Sequence, residues 1–80
     1  MMSKKNRTTH FVICLANEGY EASLEVGKLY RLIPDEEAET HGYVRVVDES
    51  GEDYAFESSR FHRVSLPPKI EKKLLAASRA

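Results

Sequence analysis

Eighty residues suffice for one domain, and folding at that length buries only about 60% of the unfolded surface, so the core is small. A composition of 41% hydrophobic and 31% charged residues excludes a disordered chain. The single cysteine, Cys14, excludes an internal disulfide, which fits a reducing cytoplasm.

The net charge of −1 hides an asymmetry. Lys4, Lys5 and Arg7 make the start basic, and residues 11–59 set twelve acids against Lys28, Arg31 and Arg45. Residues 60–80 are basic again, with Arg60, Arg63, Lys69, Lys72, Lys73 and Arg79 against Glu71. An acidic body with basic ends is the one bulk property that bears on partners.

Residues 1–9 show no apolar period and read as a disordered basic tail. The apolar run Phe11 to Ala16 is too short for a signal peptide, and no stretch approaches the roughly 20 residues of a membrane span. A first strand is expected over His10 to Leu15, apolar on both faces and therefore covered on both. In the loop that follows, Gly19 permits positive φ and Tyr20 folds an aromatic ring back over the core.

Leu24 to Lys28 leads into a second strand, Leu29 to Ile33, with Arg31 outward and Tyr30 and Leu32 inward. Pro34 ends its pairing because it carries no amide hydrogen. Pro34 to Thr40 reads as one helical turn, with proline at its start, acids near its positive end and Gly42 closing it.

A third strand, Tyr43 to Val47, points Val44 and Val46 inward, and Gly51 supplies the left-handed residue of a hairpin connection. The fourth strand, Asp53 to Glu57, alternates, which puts Tyr54 and Phe56 together on the inner face. A tight turn over Ser58 to Phe61 precedes a fifth strand at His62 to Val64. The barrel domain thus spans residues 10–65, and residues 66–80 hold a proline break and a helix. Ile70, Leu74 and Ala77 fall at helical spacing over Lys69 to Ala77, in a segment too short to be stable alone.

Short strands separated by turns, followed by a terminal helix, give a mostly-β, five-stranded barrel. Leu24-x-Val26-Gly27-Lys28-x-Tyr30-x-Leu32 resembles the diverging turn and second strand of Src-homology-3 domains, and Phe56 to Val64 resembles their last two strands joined by a 3₁₀ turn. Over residues 11–64 the chain also resembles a set of small uncharacterised bacterial and phage proteins. These share a cysteine strand, an Asn-x-Gly-Tyr loop, a Gly-Lys-x-Tyr strand and an Asp-x-Ser-Gly-Glu-x-Tyr hairpin. The Src-homology-3 resemblance implies peptide binding on an aromatic platform with a key tryptophan. This chain has no tryptophan, which argues against proline-rich ligands.

Catalysis and metal binding find little support. Cys14 lies mid-strand among apolar residues, where a thiol behaves as a small hydrophobe with a raised pKa. His10 and Cys14 on one strand stand about 13 Å apart, too far for one zinc ion. The acids around Gly51 read as a solvated hairpin tip. No cofactor is expected.

The residues therefore point to a non-enzymatic protein-interaction module of the cytoplasm, monomeric or weakly dimeric. It would dock a partner through Tyr20, Tyr43 or Tyr54 and the acidic loop residues Asp35, Glu36 and Glu37. The alternative is a nucleic-acid accessory protein that meets phosphates through Lys4, Lys5, Arg7, Lys69, Lys72 and Lys73. The Ile70, Leu74 and Leu75 stripe could instead cover an open sheet edge, in the same chain or a neighbouring one.

Overall fold

The computed structural model describes residues 10–78. The tail expected over residues 1–9 lies outside them, and so does Arg79. Five strands, β1 (Phe11–Cys14), β2 (Leu29–Ile33), β3 (Tyr43–Val47), β4 (Asp53–Glu57) and β5 (Phe61–Val64), form one antiparallel sheet in the order β4-β3-β2-β1-β5. Helix α1 (Glu36–Thr40) connects β2 to β3, a 3₁₀ turn (Ser58–Arg60) connects β4 to β5, and helix α2 (Pro68–Ser78) follows β5.

Strand β2 serves two ladders. Its first half pairs Leu29, Tyr30 and Arg31 with Ile13, Val12 and Phe11 of β1, and its second half pairs Leu32 and Ile33 with Val46 and Arg45 of β3. The sheet thereby folds over a core of Val12, Cys14, Leu24, Tyr30, Leu32, Val44, Val46, Phe56 and Phe61. Among the described residues no ladder joins β4 to β5, so the sheet is not closed by pairing. No helix among them is long and apolar enough to cross a membrane.

The alternation in β2 and β3 buries Tyr30, Leu32, Val44 and Val46 as their parity requires. Strand β1 lies between β2 and β5, so both its edges are paired, and Phe11 on one face and Val12 and Cys14 on the other are buried. Tyr54 departs from expectation. It shares the parity of Phe56 but is 48% exposed, because it sits near the hairpin end of an edge strand where no second layer covers it.

Two helix starts also differ. Proline was expected to open α1, yet Asp35 is its N-cap, accepting a hydrogen bond from the Ala38 amide at 3.1 Å. Side-chain capping outcompetes the preset φ of Pro34 because it satisfies an otherwise orphaned donor. In α2 the expected break at Pro68 is the first helical residue, where a missing amide hydrogen costs nothing. The turn into β5 is also one residue shorter than expected, since Phe61 already pairs with Cys14.

A polar network pins the segment before β2 to the β3–β4 hairpin. The buried Tyr30 hydroxyl donates to Glu49 Oε2 at 2.5 Å and accepts from the Glu25 amide at 2.7 Å. Lys28 Nζ reaches the same Glu49 oxygen at 2.7 Å, and the Glu49 amide donates to the Ser23 carbonyl at 3.0 Å. Burial, and then the bond to Glu49, push the Tyr30 phenol pKa well above its ordinary value. Lys28, and then Tyr30, hold the Glu49 carboxyl below its own.

Gly27, at φ +89°, turns the chain into this network and donates its amide to the Cys14 carbonyl at 2.8 Å. Helix α2 is tied back to the sheet through Glu71, which accepts from the His10 amide at 3.3 Å and lies 2.8 Å from His10 Nδ1. Ile70 remains 45% exposed, so the apolar stripe is not fully covered by its own sheet.

Candidate partner-binding cleft

The long connection between β1 and β2 is held in shape by its own hydrogen bonds. The Tyr20 amide donates to the Asn17 carbonyl at 2.8 Å, and the Ser23 and Leu24 amides donate to the Tyr20 carbonyl at 2.9 and 2.8 Å. Asn17 Nδ2 donates to the Leu24 carbonyl at 2.9 Å, and Leu24 itself, 1% exposed, anchors the loop in the core. These bonds carry Tyr20 towards β4.

Tyr20 packs edge-on against Phe56 with ring centroids 5.1 Å apart, as expected of an aromatic folded over the core. The Arg60 guanidinium lies 4.8 Å over the Tyr20 ring, close enough for cation–π attraction. Arg60 Nε also donates to Glu57 Oε1 at 2.8 Å, and its Nη1 lies 3.5 Å from Glu18 Oε1. One face of Tyr20 is therefore already occupied by the chain's own arginine.

Beside Tyr20 opens a cleft of about 350 Å³ between the β1–β2 loop and β4. Tyr20 and Ser23 line one side, Tyr54, Ala55 and Phe56 the other, and Asp48 and Ser50 its hairpin end. The Tyr54 hydroxyl donates to Glu52 Oε1 at 2.9 Å, which raises the phenol's pKa. Asp48 is the one charged residue buried among the described residues, at 6% exposure. Its Oδ1 accepts from the Ser50 amide at 2.8 Å and from the Ser50 hydroxyl at 2.5 Å, a turn closed by a side chain. The acids at this hairpin were expected to be a solvated tip, and burial of Asp48 corrects that for one of them.

Tyr43, the third candidate aromatic, is 42% exposed but does not join this group. It lines a separate cleft of about 300 Å³ with Glu39, Ser58, Phe61 and Arg63, across which Arg63 and Glu39 pair at 3.2 Å. The acidic residues lie apart from Tyr20 and Tyr54 as well. Asp35 binds Arg45 Nε at 3.0 Å while Arg45 Nη1 reaches Asp53 at 3.3 Å, so the acid helix is braced against the outer face of β3 and β4. The Ala38 amide, and then Arg45, hold the Asp35 carboxyl below its usual range. Glu36 and Glu37 stand exposed in the first turn of α1.

Of the basic candidates, Lys69, Lys72 and Lys73 are exposed on α2, at a spacing that puts them on one helix face. Lys4, Lys5 and Arg7 lie outside the described residues. Cys14 is fully buried, with Sγ 3.6 Å from the Ala16 carbonyl and a thiol pKa pushed up by burial, in keeping with its reading as a core residue.

Arg60 and Asp48 are the site residues that the sequence does not announce. A lone arginine in a turn and an aspartate at a hairpin tip carry no pattern, and only the long-range approach of loop and hairpin gives them roles. The chain matches no family model, no curated protein and no solved structure.

Proposed function

We propose that the chain is a non-enzymatic protein-interaction module of the cytoplasm, built on a small Src-homology-3-like barrel. The strand order supports the barrel, since β1 lies between β2 and β5 and β2 passes from one ladder to the other. The observation that carries the interaction reading is the cleft beside β4. It sets an exposed tyrosine, a buried phenylalanine and a buried carboxylate side by side on an otherwise acidic body. Amphipathic rings over an apolar floor, with a few fixed polar groups, are the make-up of recognition sites.

The test is affinity purification of the tagged full chain from its own cell, with and without nuclease, followed by mass spectrometry. A protein retained after nuclease treatment and lost with Tyr54→Ala supports the reading. Capture that disappears with nuclease refutes it.

A second reading, nucleic-acid binding, is favoured by the exposed Lys69, Lys72 and Lys73 face. Phosphate contacts weaken steeply with salt. Binding that changes little between about 50 and 200 mM salt, or that survives replacement of Lys4, Lys5, Arg7, Lys69, Lys72 and Lys73 by glutamine, would remove it.

A further inference from the structure

We propose that the cleft between the β1–β2 loop and β4 receives the ammonium or guanidinium side chain of a basic, extended segment of a partner protein. This rests on the interaction-module reading and specifies its ligand.

Three observations meet at one place. The first is the charge at the hairpin end of the cleft. Asp48 is 6% exposed and lines the cleft, with Oδ1 engaged by Ser50. A carboxylate with this little access to water is favoured by a cation brought to it through the cleft. The second is the wall. Tyr54 is exposed, and its hydroxyl donates a hydrogen bond to the Glu52 carboxylate, which places a further negative charge at the rim. An electron-rich ring next to a carboxylate attracts a cation and also packs the alkyl stem that carries it. Arg60 over Tyr20, on the opposite side of the cleft, shows the same chemistry satisfied within the chain.

The third observation is the backbone of β4. The bonds from the Asp48 amide to the Glu52 carbonyl and from the Ser58 amide to the Gly42 carbonyl bracket the β3–β4 ladder. In the alternation they define, Tyr54 and Phe56 turn their peptide groups towards β3, and Ala55 turns its N–H and C=O away. Ala55 also lines the cleft, and its outward groups have no partner among the described residues. An extended chain laid along this edge gains backbone hydrogen bonds while one of its side chains enters the cleft.

The edge argues against a second copy as occupant. Two copies paired about Ala55 would oppose Asp53 to Glu57 twice, and like charges directly across a ladder destabilise it. A basic segment meets the same acids favourably. The twelve acids against three basic residues over residues 11–59 extend that preference to long-range steering.

The experiment is amide-shift titration of the full chain with a blocked nonapeptide of serine and threonine carrying a central lysine. The same peptide with glutamine at its centre, and butylammonium alone, serve as controls. The lysine peptide is expected to move the Ser23, Ser50, Tyr54 and Ala55 amides, to bind more tightly than butylammonium, and to outcompete the glutamine peptide. Asp48→Asn keeps the acceptor that closes the turn and removes the charge, and it should weaken the lysine peptide about tenfold, as should Tyr54→Ala. Both variants are checked for an intact spectrum.

Equal binding of the glutamine peptide overturns the proposal, and so does undiminished binding by Asp48→Asn. Butylammonium binding as tightly as the peptide overturns its backbone part. Cleft amides that shift when Lys4, Lys5 and Arg7 are replaced by glutamine, with no peptide present, assign the cleft to the chain's own start and likewise overturn it. If the lysine peptide leaves the cleft unmoved while the tagged chain still retains a nuclease-resistant protein, this inference fails and the interaction-module reading stands.

Discussion

Replacing Tyr30 by phenylalanine removes one oxygen and leaves the ring in the core. That oxygen donates to Glu49 and accepts from the Glu25 amide, so its loss strands a backbone donor and takes one of two partners from a carboxylate. A hydrogen bond to a charged group contributes about 1.5–3 kcal/mol. The Glu49 side chain is 35% exposed and recovers some hydration, which places the expected loss near the middle, at about 2 kcal/mol. For a domain this small, with a urea m-value of about 1 kcal/mol/M, the midpoint should fall by about 2 M.

The pH dependence gives an independent check. Glu49 is held below its ordinary value in the fold, so its contribution is complete above the unfolded carboxyl pKa of 4.5 and is lost as pH falls through the lower folded value. Tyr30 is pushed above its ordinary value. Its contribution is complete below the unfolded phenol pKa of 10.0 and is lost as pH rises beyond it. The wild type should therefore weaken at both ends, and Tyr30→Phe should lessen both losses, with Cys14 and Tyr54, whose pKa values are also raised, keeping part of the alkaline one. Urea titrations of Tyr30→Phe, Glu49→Gln and the double variant measure the coupling. A single-variant loss under about 0.5 kcal/mol, or additive effects in the cycle, would refute the view that this network joins the loop to the hairpin.

Three further outcomes are expected. Gly27→Ala should cost about 1 kcal/mol in chemical denaturation, all of it from backbone strain at positive φ, because an added Cβ meets nothing within 4 Å; an unchanged midpoint would contradict this. Cys14 should react with a disulfide reagent far more slowly in the native chain than in urea, since its thiol is buried and its pKa raised. Labelling at the unfolded rate would show that β1 is not the protected strand it is taken to be. Glu71→Ala should lower amide-exchange protection through α2 while leaving β1 to β5 protected, because Glu71 carries the contacts from α2 to His10; unchanged protection would mean that other contacts hold the helix.

Local pattern was enough to read the strands, because each buries one face and period-two alternation marks it. Val44 and Val46, Tyr30 and Leu32, and the stop at Pro34 all carried that signal. The same rule misplaced Tyr54, since parity gives the direction of a side chain and not whether anything lies there to cover it. Leu24 was passed over as a core residue because it lies in a loop outside any alternating run. The candidate site was less legible. Tyr20 and Tyr54 were named, but their separation from Tyr43 depends on how the β1–β2 loop crosses to β4. That path is set by Leu24, Asn17 and the Glu49–Ser23 bond, all contacts between residues distant in sequence or without periodic context.

The ladders of the sheet differ in how soon the chain can form them. The β3–β4 hairpin joins neighbours across a few residues, whereas pairing Phe11 with Val64 must close a loop of more than fifty. Closure entropy grows with that span and is spent before the contact returns anything. The hairpin is therefore expected to lead the folding reaction and β5 to arrive last. Phe61→Leu should accelerate unfolding and leave the folding rate almost untouched, while Val46→Ala slows folding. Until that last strand docks, β1 exposes an unpaired apolar edge, and this interval is when the chain is most open to aggregation or to a chaperone.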